Sequence, residues 1–386
     1  MATSTPTRID RFLGLQNVSD PLRLGLGWLV TADNVNVTDT GSLVRRDGYS
    51  RASTGNFTSL YATKDYSRLY VVESGVLKSS NGTDHAAIQT LVSTARMYWC
   101  EINDQVFFNN GSDSGILSRD HSVRDWAWDI PASPTLRAVT GSLAAGLYRV
   151  LITTRLADGR ETGTSDPVEL VLTDGQALQI SGIPADSNVY LAPANSTVFS
   201  LAAVPTGTAI VWNQSPDNLG RDLVLGGLDP LPACDVIQAW KGRIYASQYD
   251  ASRDQSTVYF SQPLGFHLFD LAKDFFMVPG KVVMLAPNDA GLIVGTDKAI
   301  YAYTPEGLAM LADYGVVPGQ HWADDEGRTL FWSTRGLCAG LPFTNLTASR
   351  VSVAPGLSAG GTLVQTGGQK RYVVALQQGG SAFNSF

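Results

Sequence analysis

Cysteine is scarce in this chain: three residues in 386, at Cys100, Cys234 and Cys338. They lie far apart and none forms a CxxC pair, which argues against a zinc knuckle. An odd count argues against a disulfide framework and fits synthesis in a reducing compartment. Buried, inert thiols are the expectation. Histidine is equally sparse. The four, His85, His121, His267 and His321, have no HxxxH or HExxH spacing. Charged residues make up only 16% of the chain, below the usual quarter of a globular protein. No apolar run approaches the roughly 20 residues that cross a bilayer. Residues 1–12, "MATSTPTRIDRF", lack the apolar region of a secretory signal. The expectation is a soluble protein without a membrane span, made in the cytoplasm.

Apolar material and turn formers are plentiful. The chain is 44% hydrophobic and carries 38 glycines. That suffices for a packed core, and the length suggests two or three domains. Few charges with much Gly, Ser, Thr and Val suit a β-rich protein with many turns. The net charge is −7 and the pI is near 5.1. An acidic chain makes a poor general nucleic-acid binder, because that affinity comes from Lys and Arg neutralising phosphates.

One texture recurs along the chain. Residues 59–82, "SLYATKDYSRLYVVESGVLKSSNG", read as strand, polar turn, strand, tight turn, strand. Residues 95–118, 235–263, 282–308 and 319–341 repeat it, with "RIYAS", "LIVGT" and "TLFWS" standing where "RLYVV" stands in the first. Lys64-Asp65, Ser74-Gly75, Asn103-Asp104 and Asn109-Asn110-Gly111 supply turn chemistry. Each unit is an antiparallel meander of about 25 to 45 residues, the period of β-propeller blades. A single meander cannot bury both faces, so neighbours must stack around an axis. An array of β-sandwiches is the alternative. Residues 261–280, "SQPLGFHLFDLAKDFFMVPG", are read either as one helical turn or as a blade-connecting loop.

The middle of the chain differs. About seven short strands, spaced near ten residues, fall between Pro131 and Asp222. That spacing describes a small β-sandwich of the immunoglobulin or fibronectin type III kind. Pro131, Pro134, Pro230 and Pro232 bracket it. The expected fold is therefore all-β: a degenerate β-propeller interrupted by an inserted β-sandwich. Residues 1–130 hold an N-terminal hairpin and the first blades, 131–225 the insert, and 226–386 the remaining blades.

Candidate chemistry is thin. His321 lies near Asp324, Asp325 and Glu326, and His121 near Asp120 and Asp125. Both clusters read more simply as solvated turns than as acid–base or metal sites. Trp126 and Trp128, in "DWAWD", would share one face of a strand. They could form a sugar platform, though packing at the junction of blade and sandwich is the simpler role. No nucleophile elbow, P-loop, dinucleotide fingerprint or calcium loop is present. No catalytic, cofactor-binding or metal residue is assigned, no cofactor is expected, and the chain is read as a non-enzyme.

Residues 14–48 carry a more specific pattern. It comprises Gly14, Leu15, Asn17, Pro21, Leu22, Ala32, Asn34, Val35, Val37, Gly41, Leu43, Arg45, Arg46 and Gly48. Turned through Asp39-Thr40-Gly41, it should form a β-hairpin. That hairpin is expected to close the ring by pairing with the last blade, with Arg45 and Arg46 at an exposed edge or a subunit contact. The pattern resembles the N-terminus of tail accessory proteins of short-tailed bacteriophages, the nozzle or packaged-DNA stabilisation proteins. The run "AGLYRVLITTRLADGRETGTSD" also resembles their inserted domain. The resemblance implies a β-propeller virion protein of the tail, made in the host bacterial cytoplasm. It implies a homo-hexameric ring beneath the portal and its adaptor, forming part of the DNA exit channel. Implied partners are the portal adaptor protein, tail fibre, spike or needle proteins, and packaged DNA that passes without sequence-specific binding. The alternatives are a carbohydrate-binding or glycoside-degrading propeller, an adhesion protein using the sandwich as its binding module, and a monomeric anchor decorating the tail with a fibre or spike.

Overall fold

The computed structural model describes residues 8–224, 226–366 and 368–378. The secretory-signal reading of residues 1–7 and the domain limits at 1, 225 and 386 lie outside the described residues.

The fold is all-β: a degenerate propeller interrupted by a sandwich. The first blade comprises Phe57–Ala62, Leu69–Glu73, Val76–Ser80 and His85–Thr90. The second comprises Tyr98–Ile102, Gln105–Asn109, Ser114–Leu117 and Val123–Arg124. The third is built from Val236–Trp240, Arg243–Asp250, Gln255–Gln262 and Gly265–Phe269. The fourth holds Val282–Asn288, Gly291–Thr296, Ile300–Thr304 and Gly307–Ala312. The fifth holds Ala323–Asp325, Arg328–Ser333, Gly336–Ala339 and Thr344–Asn345. A long terminal hairpin, Ser358–Thr366 with Gln369–Gln377, follows.

Local sequence sets these meanders. Ser74 and Gly75 both have positive φ and form the two-residue loop between Glu73 and Val76. Asn103 and Asp104 do the same between Ile102 and Gln105. Two positive-φ residues match the twist of paired strands, which is why Gly, Asn and Asp occupy such loops. The segment 261–280 is neither helix nor plain connector. Gly265–Phe269 is the fourth strand of blade three, and Phe275–Pro279 also pairs with its third. In the latter, Phe275 and Met277 face out and Val278 in, a period of two that the dense apolar composition obscures.

Stacking buries both faces of the inner blades. Tyr70, Val72 and Leu77 of blade one pack on Trp99, Val106 and Phe108 of blade two. The opposite face of blade two, with Cys100, Phe107 and Ile116, meets blade three through Ile237, Ile244 and Val258, and the same cluster runs on to Leu285 and Leu292 of blade four. Val283, Met284 and Ile293 continue against Phe331 and Cys338 of blade five. Trp332 and Val317 then pack on the terminal hairpin through Ala359, Tyr372 and Val374.

The sandwich interrupts this ring between blades two and three. One sheet orders Thr135–Leu143, Gln176–Ser181 and Ala209–Trp212. The other orders Val168–Leu172, Gly146–Thr154, Ser187–Ala192 and Ser200–Ala203. Its own core includes Tyr148, Val150, Ile152, Leu178, Leu191 and Trp212. A separate core is the mark of a unit that could fold alone.

The N-terminal arm corrects one expectation. Val35–Val37 and Leu43–Arg45 do form a hairpin, but among the described residues it is a two-stranded sheet of its own and pairs with no blade. The ends are joined elsewhere. Asn17 N–H donates to Arg350 O, its side-chain amide donates to Ser352 O, and its Oδ1 accepts from Ser352 N–H at 2.7 Å. A short polar stitch replaces the expected strand pairing.

Replacing residues 131–222 by a short Gly-Ser linker should leave a soluble propeller, because its inter-blade clusters are independent of the sandwich core. Near-UV circular dichroism and a single cooperative melt are the expected readouts. An aggregated or molten product would show that the two regions depend on one another.

Candidate functional site

The sandwich meets the propeller around one loop, residues 158–163. Glu161 is buried. Its Oε2 accepts from Thr153 Oγ1 at 2.8 Å and from Tyr190 Oη at 2.9 Å, and its Oε1 accepts from Arg221. Burial and then the Glu161 carboxylate push the Tyr190 hydroxyl pKa up. The backbone carbonyl of Glu161 accepts from His267 Nε2 of blade three at 2.9 Å. Burial lowers the His267 pKa, which favours the neutral ring. Two residues on, Gly163 lies against the backbone of Leu228, so close that a Cβ would overlap the Leu228 carbonyl. Only glycine allows that approach of loop to re-entering chain.

Asp158 forms the second tie. Its Oδ2 accepts from Arg124 of blade two and from Arg160, each at 2.8 Å. Burial acts upward on this carboxyl. The Arg160 N–H and the two guanidinium charges outweigh it and hold the pKa below the usual range. Beside this triad lies a cavity of about 270 Å³, lined by residues of both blades and of the sandwich loop.

The residues singled out by sequence lie apart from this joint, with one exception. Trp126 is fully buried, its Nε1 donating to Phe266 O at 2.7 Å and its ring standing edge-on to Phe107. Trp128 follows in chain outside any strand, half-buried, with Nε1 on Asp125 O. The two rings therefore do not share a strand face, because the strand ends at Arg124. His321 is buried, Nε2–H donating to Val317 O and Nδ1 accepting from Trp332 N–H. Its acidic neighbours point elsewhere: Asp324 caps Gly327 N–H, while Asp325 and Glu326 pair with Lys370. His121 bonds Tyr70 Oη, and Asp120 caps Ser122. His85 lies between Ser53 and Ser80. All three cysteines are buried and burial raises each thiol, so none is poised as a thiolate. Among the described residues, no group of His, Cys, Asp and Glu could hold a metal, and no helix is long and apolar enough to cross a membrane. Glu161 and His267 carry the joint and were not singled out as site residues. The only signal was the run "DGRET", Asp158 to Thr162, legible as a loop and not as a tether.

A second feature is the surface of the N-terminal arm. It is held in place by the Asn17 stitch, by Phe12 N–H on Gly41 O, and by Arg350 over the Trp28 ring. Yet Leu22 is 94% exposed, Tyr49 73% and Leu26 67%. Arg45 and Arg46 are exposed beside them in sequence and make no ion pair among the described residues.

No family model matches the chain, and no curated protein matches it. Solved structures give only distant likenesses. One is the extracellular domain of a hybrid two-component system from B. thetaiotaomicron, 10% identical with a TM-score of 0.31, over 80% of this chain and 35% of that one. The chain thus spans about a third of that structure's length. BBS1N in complex with ARL6DN is 13% identical with a TM-score of 0.35, over 86% and 95% of the two chains. AztD from Citrobacter koseri is 10% identical with a TM-score of 0.27, over 86% and 91%. None of these supports a transfer of function.

Two outcomes follow from the buried groups. Glu161→Leu leaves the buried Thr153 and Tyr190 hydroxyls without their acceptor, and should cost about 2–4 kcal/mol in urea denaturation of the sandwich. Retention of wild-type stability would show that the tether is not structural. His321 has its pKa pushed down to about 4 by burial. A depressed folded pKa means its contribution is complete above the unfolded value near 6.5 and is lost as pH falls through 4. Wild type should lose roughly 3 kcal/mol over that window relative to His321→Gln. Parallel stability curves for the two proteins would remove His321 as the cause.

Proposed function

We propose that this chain is a structural protein of a bacteriophage tail. In this reading it is a subunit of the nozzle ring beneath portal and adaptor, lines part of the DNA exit channel and helps retain packaged DNA. The observation that carries the reading is the N-terminal arm. It is ordered by specific hydrogen bonds, yet Leu22, Leu26 and Tyr49 remain open to water. A surface that is held in shape but left apolar fits contact with another subunit. The same arm bears the residues that resemble tail nozzle proteins, and two of them hold it in shape. Asn17 makes the stitch. Gly41 has φ +83° and lets Arg11 approach where a Cβ would collide.

The charge agrees with passage of DNA rather than its capture. Six copies would carry six times −7, about −42. Acids facing a channel repel phosphate, so a duplex slides instead of sticking, most strongly at low salt. Partners on this reading are further copies in a homo-hexamer, the portal adaptor, and fibre, spike or needle proteins. The place of action is the virion tail. No catalytic turnover is part of it.

Cryo-electron microscopy of intact particles tests this. The expected result is six copies around the tail axis, with the arm at a subunit boundary. Density off the axis, or in a number unrelated to tail symmetry, would replace the ring with a decorating anchor. A channel wall lined mainly by Lys and Arg would sink the sliding argument alone.

A further inference from the structure

The cavity at the joint of blade and sandwich has a chemical character that the tether does not use. Three parts of the chain wall it: Asn103, Gln105 and Arg124 from blade two, Asp158 and Arg160 from the sandwich loop, and Leu264, Phe266 and His267 from blade three. Two guanidinium groups face one carboxylate there, and His267 is kept neutral by burial. The wall therefore carries one positive charge in excess. Asp158 engages both arginines through the single oxygen Oδ2. That leaves N–H groups over on Arg124 Nη2 and Arg160 Nη1, which have no acceptor among the described residues. Planar N–H forks of this kind match a carboxylate.

The rest of the wall speaks to what the carboxylate is attached to. The side-chain amides of Asn103 and Gln105 have no protein partner among the described residues, so their donors and acceptors are free for hydroxyl groups. Leu264, Phe266 and Phe107 give an apolar side against which a ring can lie. A volume of about 270 Å³ is enough to seat one ring. We propose that this cavity binds a uronic acid: a single sugar ring bearing a carboxylate. Arg124 and Arg160 take the carboxylate, Asn103 and Gln105 the hydroxyls, and the apolar wall the ring face. Because both domains contribute, the ligand would also brace the sandwich against the propeller.

Isothermal titration of the full chain with D-glucuronate tests the site, with D-glucose, N-acetylaspartate and inorganic phosphate as comparisons. Glucuronate should bind saturably at one site per chain, at least tenfold more tightly than each comparison, and should raise the melting temperature. Asn103→Gly suits the positive φ at that position, and removes one amide; Gln105→Ala removes the other. Each should weaken glucuronate at least tenfold while near-UV circular dichroism stays that of wild type. If Gln105→Ala does not fold, Asn103→Gly alone decides. Absence of saturable heat up to about 10 mM overturns the proposal. So does equal binding of glucose, which removes the carboxylate from recognition. Equal binding of N-acetylaspartate or phosphate removes the sugar ring, and undiminished binding to Asn103→Gly removes the site.

Discussion

A four-stranded meander has two faces, and in blades two to five both carry apolar clusters. Each of these blades is therefore incomplete without a neighbour on each side, and this constraint orders the propeller. Blade three shows it best, because one continuous cluster wets it from both sides, from Cys100 and Phe107 of blade two to Leu285 and Leu292 of blade four. Burying a side chain such as Phe107 contributes about 1.5–3 kcal/mol, and none of that is available to an isolated blade. The terminal hairpin is covered on one side only. It packs one face on Trp332 and Val317 of blade five, while Val373 on the other face stays half exposed.

The insert follows from the same constraint. A sandwich with its own core can enter a loop between two blades only if it leaves their contact intact. Here Trp126 closes the space before the excursion, and Leu231 and Cys234 join the same inter-blade cluster after it. The sandwich is then fastened by polar groups. The Glu161 carboxylate collects Thr153, Tyr190 and Arg221 inside its own domain, which leaves its carbonyl for His267. Electrostatics holds the joint, and apolar burial holds the two bodies.

How much of this was legible depended on the range of the interaction. Meanders and turns are local, so Ser74-Gly75 and Asn103-Asp104 announced themselves through residues that tolerate positive φ. The segment 261–280 misled because Phe and Leu are dense on both faces, and period two was hidden. The "DWAWD" pair misled because spacing implies a shared face only if a strand persists, and the strand stops at Arg124. The joint was the least legible part. His267 touches a carbonyl 106 residues away, and any carbonyl could have served. Nothing in the identity of Glu161 specifies its neighbour.

The stitch at Asn17 has a consequence in time. It joins Asn17 to Ser352, 335 positions apart in sequence. Contacts of such separation form late, since the chain must give up the entropy of a very large loop before they return anything. On a ribosome, Asn17 emerges long before its partner exists. At about 5–20 residues per second, the interval is tens of seconds. Through that interval Leu22 and Leu26 are open to water without even the arm's fixed shape. A growing chain thus carries this apolar segment loose until the stretch after blade five, with Arg350 and Ser352, has emerged to put it in order.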